Sequence, residues 1–139
     1  MKFKKIKDVY FIRLDKGEKI IENLKNFCAE NKIKCGYFFG IGALGEAELA
    51  HYIVENRKYT AKLLKQPLEI VNMTGNVATM GNKIYLHCHI TLSDEEMKAI
   101  AGHLKEGTIA ATCEIVLVKL NTDVSRKYDD LTGLNLLDL

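Results

Sequence analysis

The chain reads as an α+β domain: a strand-rich, mixed but largely antiparallel sheet flanked by helical cover. Three observations predict this. Between positions 33 and 120 the sequence is mostly short apolar runs, rich in β-branched and aromatic residues and broken by Gly, Asn or the single proline, Pro67. One earlier segment carries a full helical stripe, with Ile20, Ile21, Leu24, Phe27 and Cys28 spaced i, i+1, i+4, i+7 and i+8. The strand candidates join through turns, not crossover helices, which disfavours a parallel α/β sheet. At 139 residues the chain makes one domain, 1–139, large enough to bury a core.

Taken in order, positions 9–14 (Val-Tyr-Phe-Ile-Arg-Leu) form the first strand. The amphipathic helix follows, with Glu18, Glu22, Lys25 and Asn26 on its wet side and Asn31 as its stop. Further strands are expected at 34–39, 47–54, 59–64, 68–77, 83–92 and 110–120. Met80-Gly81-Asn82-Lys83 makes a hairpin turn between two of them. Ser93 and Glu96 match a capping box, so a short helix is expected over 94–101, ended by Gly102 in the left-handed conformation. His103 would then stand just past a helix end. The tail from Asn121 ends in Leu134, Leu136, Leu137 and Leu139, which predict a packed terminal segment.

Gly40-Ile41-Gly42-Ala43-Leu44-Gly45 has the G-x-G-x-x-G spacing of a dinucleotide-binding turn. That motif needs a helix directly after it and an acidic residue about 20 positions on. Here Glu46 leads into a strand-like stretch, and Tyr59, Thr60 and Ala61 stand where the acid should be. The glycines are better read as a tight strand-to-strand turn, where backbone must bend or approach closely.

Side-chain chemistry converges in one region. Leu86-His87-Cys88-His89-Ile90 and Ala101-Gly102-His103-Leu104 hold three of the four histidines. On a strand, residues i and i+2 share a face, so His87 and His89 can aim at one point while Cys88 turns to the other side. A third imidazole from His103 would complete a three-nitrogen set with an open position, the donor set of a zinc site. His51 reads as an ordinary partly buried histidine. The four cysteines, Cys28, Cys35, Cys88 and Cys113, form no Cys-x-x-Cys pair and are expected as reduced, mostly buried thiols.

Composition excludes several classes. A net charge of +2 is too small for an electrostatic nucleic-acid footprint, and no like-charge run stands out beyond the lysines at 2, 4, 5 and 7. No window approaches the roughly 18 apolar residues of a membrane span, and the N-terminus lacks a signal-peptide core, so a cytoplasmic protein is expected.

The order of motifs resembles the plant- and prokaryote-conserved (PPC) domain family. The elements that carry the resemblance begin with Gly40-Ile41-Gly42-Ala43-Leu44 and Leu68-Glu69-Ile70-Val71 leading to Gly75. They continue through Leu86 to Ile90, Ser93-Asp94, Gly102-His103-Leu104, Gly107-Thr108-Ile109 and Thr112-Cys113-Glu114-Ile115-Val116. Positions 126–129, Thr132-Gly133-Leu134 and Leu137 match its closing segment, so the likeness runs from Tyr10 onward. It implies a mixed sheet flanked by helices, a homotrimer, and a metal held by His87, His89 and His103. Plant members carry the domain behind AT-hooks, where it serves partner binding and oligomerisation. This chain has no Arg-Gly-Arg-Pro hook. It also departs in having Ala101 where the family usually has a second glycine, and a more helical stretch over 95–100.

Three functions compete at this level. The first is a trimeric metal-binding module without catalysis, with one zinc or similar ion per chain, acting through interaction, with itself or a protein partner, or through regulation. The second is a zinc hydrolase, for which Glu69 and Glu114 are the candidate carboxylates, since each interrupts an otherwise apolar strand. Their simpler reading is a strand face turned to solvent or to an intersubunit salt bridge. The third is a DNA-associated protein, which would need phosphate contacts that this sequence does not supply.

Overall fold

Strand follows strand for most of the chain in the computed structural model, which describes residues 1–139. The elements are β1 (Lys2–Ile6), β2 (Val9–Asp15), α1 (Ile20–Glu30), β3 (Gly36–Ile53), β4 (Lys58–Leu64), β5 (Leu68–Met80), β6 (Lys83–Ser93), β7 (Ala99–Lys119), β8 (Ser125–Asp129) and β9 (Leu134–Asp138). They form one nine-stranded sheet ordered β1-β2-β7-β3-β5-β8-β9, with β4 beside β3 and β6 joined to both β5 and β7. Pairing is antiparallel except for a single parallel bridge, Thr79 to Ser125. Because β3 meets β5 and β7, and β6 meets the same two strands, the four close into a ring. The sheet therefore curls around its own core.

Twenty-seven buried residues fill that core, among them Phe38, Leu44, Met73, Leu92, Ile109 and Leu117. The helix packs against β6 and β7, and its predicted stripe of Ile20, Ile21, Leu24, Phe27 and Cys28 is buried throughout. Phe27 meets Tyr10 edge-on at 5.4 Å and Phe3 at 5.0 Å. This one helix is the only helical cover, where the sequence predicts a second over 94–101. No helix is long and apolar enough to cross a membrane. All four cysteines are buried and unpaired, and burial pushes the Cys28, Cys88 and Cys113 thiols up to about 12.

The start of α1 is capped from a distance. Lys19 at its N-cap makes no side-chain cap. Instead the Glu106 carboxylate, from β7, accepts the N–H groups of Ile21 at 2.8 Å and Glu22 at 3.1 Å. Glu106→Ala should therefore cost about 1–2 kcal/mol in urea unfolding, as loss of a local cap does. An unchanged midpoint would mean that water replaces the carboxylate at no cost. At the other end, Asn31 does stop the helix, its Nδ2 donating to the Phe27 carbonyl at 2.9 Å. The left-handed residue is the next one, Lys32, at φ 52°.

Two expectations are corrected. The glycine run is no turn between strands: β3 passes straight through it, and its pairing register shifts three times between Gly40 and Glu46. A Cβ on Gly42 would lie 2.3 Å from the Thr112 carbonyl oxygen, so bending and close approach are indeed why glycine stands there. The helix expected over 94–101 is also absent. The Asp94 carboxylate accepts the N–H groups of Glu96 at 3.0 Å and Lys98 at 2.9 Å, and Met97 takes φ 61°, closing a tight turn from β6 into β7. Gly102 lies inside β7, paired with Ile90. A short acidic side chain can cap a helix or close a turn; here the ladder with β6 decides for the turn.

The tail forms a β8–β9 hairpin, yet its leucines are less buried than expected, with Leu139 at the surface. Strand β1 carries no strand signal in its sequence, because lysines interrupt its apolar positions.

Candidate metal centre

The β6–β7 hairpin builds the site. On β6, Tyr85, His87 and His89 alternate onto one face, and Cys88 points to the other, where it is buried in the core. The turn at Asp94 returns the chain antiparallel, so that His103 pairs directly with His89 and, on its other side, with Ala50 of β3. The three imidazoles thus meet by strand register. One nitrogen from each of His87, His89 and His103 lies within 4.8 Å of the others. The Nε2 atoms of His87 and His89 are 3.2 Å apart. Two nitrogens bound tetrahedrally to one zinc, at about 2.0–2.1 Å each, stand about 3.3–3.4 Å apart. The donor set and its spacing fit such an ion.

Burial, the Arg126 guanidinium and the two neighbouring imidazoles hold His87 down to about 4, and burial also lowers His103. Both rings are therefore neutral, as ligands must be, at physiological pH. For the metal-free chain the sign follows. Between the usual histidine value of about 6.5 and about 4 the unfolded chain holds the extra proton, so stability falls as pH drops through that window. Urea midpoints of chelator-treated protein should decline from pH 7 to 4.5, and His87→Gln should flatten the decline. A parallel decline in that variant would assign the effect elsewhere.

Beside the histidines opens a cleft of about 560 Å³. Its walls come from β3 and β4 (His51, Tyr52, Tyr59), β6 (Tyr85) and the tail (Arg126, Asn135). No Asp or Glu lines it.

The sequence profile of the Plants and Prokaryotes Conserved (PCC) domain matches residues 1–121. The chain belongs to that family. Among solved structures, this PCC domain is similar to a protein from Bacteroides thetaiotaomicron named a "putative DNA binding protein". The two share 34% identity over 99% of this chain and 96% of that one, with a TM-score of 0.96. It is also similar to one from Archaeoglobus fulgidus named a metal-containing protein, at 30% identity over the whole of both chains and a TM-score of 0.90. A plant- and prokaryote-conserved protein from Pyrococcus horikoshii matches at 28% identity over 99% of this chain and 94% of that one, with a TM-score of 0.88. No curated protein matches the sequence.

Within this PCC domain the two candidate carboxylates stand apart from the histidines. Glu69 is exposed near the start of β5, opposite Ser93, and Glu114 is exposed on the outer sheet face between Arg13 and Ile41. The residues missed by sequence reasoning are Tyr59, Tyr85, Asn76 and Arg126. Arg126 is the one buried charged side chain, 8% exposed. Its only sequence signal was its place in the closing segment. His51 lines the cleft but stays outside the three-nitrogen cluster.

Proposed function

We propose that this PCC domain is a metal-holding module in which His87, His89 and His103 bind one zinc ion per chain. The observation that supports it is the convergence of three imidazole nitrogens within 4.8 Å from two paired strands. A neutral three-histidine set with room for a further ligand suits zinc among the ions that imidazole favours. The similarity to a protein named as metal-containing, at 30% identity, supports the same reading.

The module acts as a homotrimer, through interaction or regulation. Phe11, Val116 and Phe39 form a row across β2, β7 and β3, and Phe11, Phe39 and Ile41 are each about half exposed or more (49%, 49% and 58%). An apolar sheet face of this kind is covered in soluble proteins by another surface, and a second copy is the economical one. Light scattering should give three chains per particle; a monomer would overturn the assembly.

A zinc hydrolase is the second reading, and the cleft beside the histidines favours it. When bound, zinc would acidify a coordinated water toward neutral pH. That chemistry also calls for a base, and the cleft holds no carboxylate within one chain. DNA association has least support, since a net charge of +2 supplies few phosphate contacts.

Elemental analysis of untagged protein purified without chelator tests the main reading. Close to one zinc per chain is expected; no metal, even after dialysis against zinc, would leave the histidines as structural residues.

A further inference from the structure

Arg126 is the least compensated charge in the molecule. It is 8% exposed, yet no Asp or Glu comes within ion-pairing distance of it; every salt bridge in the chain involves other residues. Its guanidinium is fixed by neutral partners. One terminal nitrogen donates to the Asn135 carbonyl at 2.7 Å, and the other to Asn76 Oδ1 at 2.8 Å. The Nε–H has no partner, and the Tyr85 ring lies 4.9 Å from the guanidinium carbon. A buried cation held this way is costly unless something anionic completes it.

Its location points to what that is. Asn76 pairs with His87 across the β5–β6 ladder, and Tyr85 and His87 share one face of β6. Arg126, Tyr85 and all three histidines line the same cleft, which has no acidic side chain. A divalent ion on three neutral imidazoles keeps its full double charge. With Arg126 alongside, the cleft would be strongly positive with no counter-charge from its own chain. Apart from His51 and Asn135, its remaining walls, including Tyr52, Tyr59, Val54 and Leu136, are aromatic or apolar. The Tyr52 hydroxyl is already spent on the Thr132 carbonyl, so that side chain offers ring surface.

We propose that the cleft binds a small organic oxyanion, its charged group placed between the metal and Arg126 and its carbon body against the tyrosines. A carboxylate and a phosphate ester share the required chemistry, and the planar guanidinium suits either. The cleft volume of about 560 Å³ suits a small molecule and not a polymer. The inference rests on the reading of the three histidines as metal ligands.

The test uses full-length protein loaded with cobalt(II), whose visible spectrum reports its ligands, at constant ionic strength. Benzoate, phenyl phosphate and neutral benzamide are titrated separately, with binding followed by calorimetry and by the cobalt bands. At least one anion should bind and move the bands, and benzamide should do neither; which anion binds more tightly tells carboxylate from phosphate. Arg126→Gln should weaken anion binding at least tenfold with cobalt content unchanged, and Arg126→Lys should recover part of it. Anions that bind no better than benzamide overturn the proposal, and that comparison needs no variant. So does an Arg126→Gln protein with undiminished anion affinity. A wild-type chain that takes up no cobalt sinks the metal reading itself, and this inference with it, a failure visible in metal content before any anion is added.

Discussion

His87→Ala and His89→Ala proteins should fold as the wild type does and carry close to no metal. Neither side chain belongs to the core: His87 is half-buried and His89 exposed, so truncation opens no internal cavity. The loss falls on the ion instead. Two imidazoles are a much poorer chelate than three, and the effect should exceed the roughly 10–100-fold that changes around a metal's ligands produce. Because an ion bound only to the folded chain stabilises it, wild-type protein should gain about 2.7 kcal/mol at free zinc about 100 times Kd, and neither variant should gain anything. His51→Ala is the control, since His51 lines the same cleft outside the cluster and should keep full occupancy. Full metal content in His87→Ala protein would mean that the ligands have been wrongly assigned.

The second large effect concerns a residue with no side chain. Gly75 lies on β5 between Phe38 of β3 and Cys88 of β6. A Cβ there would stand 2.4 Å from the Phe38 ring and 2.5 Å from the His87 carbonyl oxygen. Phe38 is fully buried, and the carbonyl belongs to a strand of the closed ring, so neither can move freely. Gly75→Ala should therefore destabilise by about 2–3 kcal/mol, as overpacking does, and the displaced β6 should also carry His87 away from its partners. Urea unfolding together with zinc titration checks both halves. Normal stability would show that the ring has slack at this point. Lost stability with undiminished zinc affinity would show that the strain relaxes toward Phe38.

Several features were legible from residue order because they depend on local rules. The helical stripe from Ile20 to Cys28 has a period that only a helix can bury on one side. The alternation in His87-Cys88-His89 puts imidazoles and thiol on opposite faces of any strand. Met80 to Lys83 offers the short polar turn, with Gly81 at φ 60°, that a hairpin needs.

Where local rules have two solutions, residue order does not choose between them. Ser93-Asp94-Glu95-Glu96 satisfies the pattern of a helix start, but the same Asp94 carboxylate closes a turn. Gly40 to Gly45 suits a turn between strands as well as bulges within one. At Asp94 the choice is made by the β6–β7 ladder that the turn joins, and along the glycine run by pairing with β5 and β7, which are distant in sequence.

Residue order alone thus carried the strand-rich class, the buried face of the one helix, and a histidine pair able to share one ion. Long-range pairing settled that His103 reaches that pair by register with His89, and that Arg126 arrives beside it from the tail. It also settled that Glu106 caps a helix about 85 residues earlier. The reason is physical. Periodicity reports which face of an element is buried, whereas pairing partners are chosen by the summed fit of a closed sheet, which no local window contains.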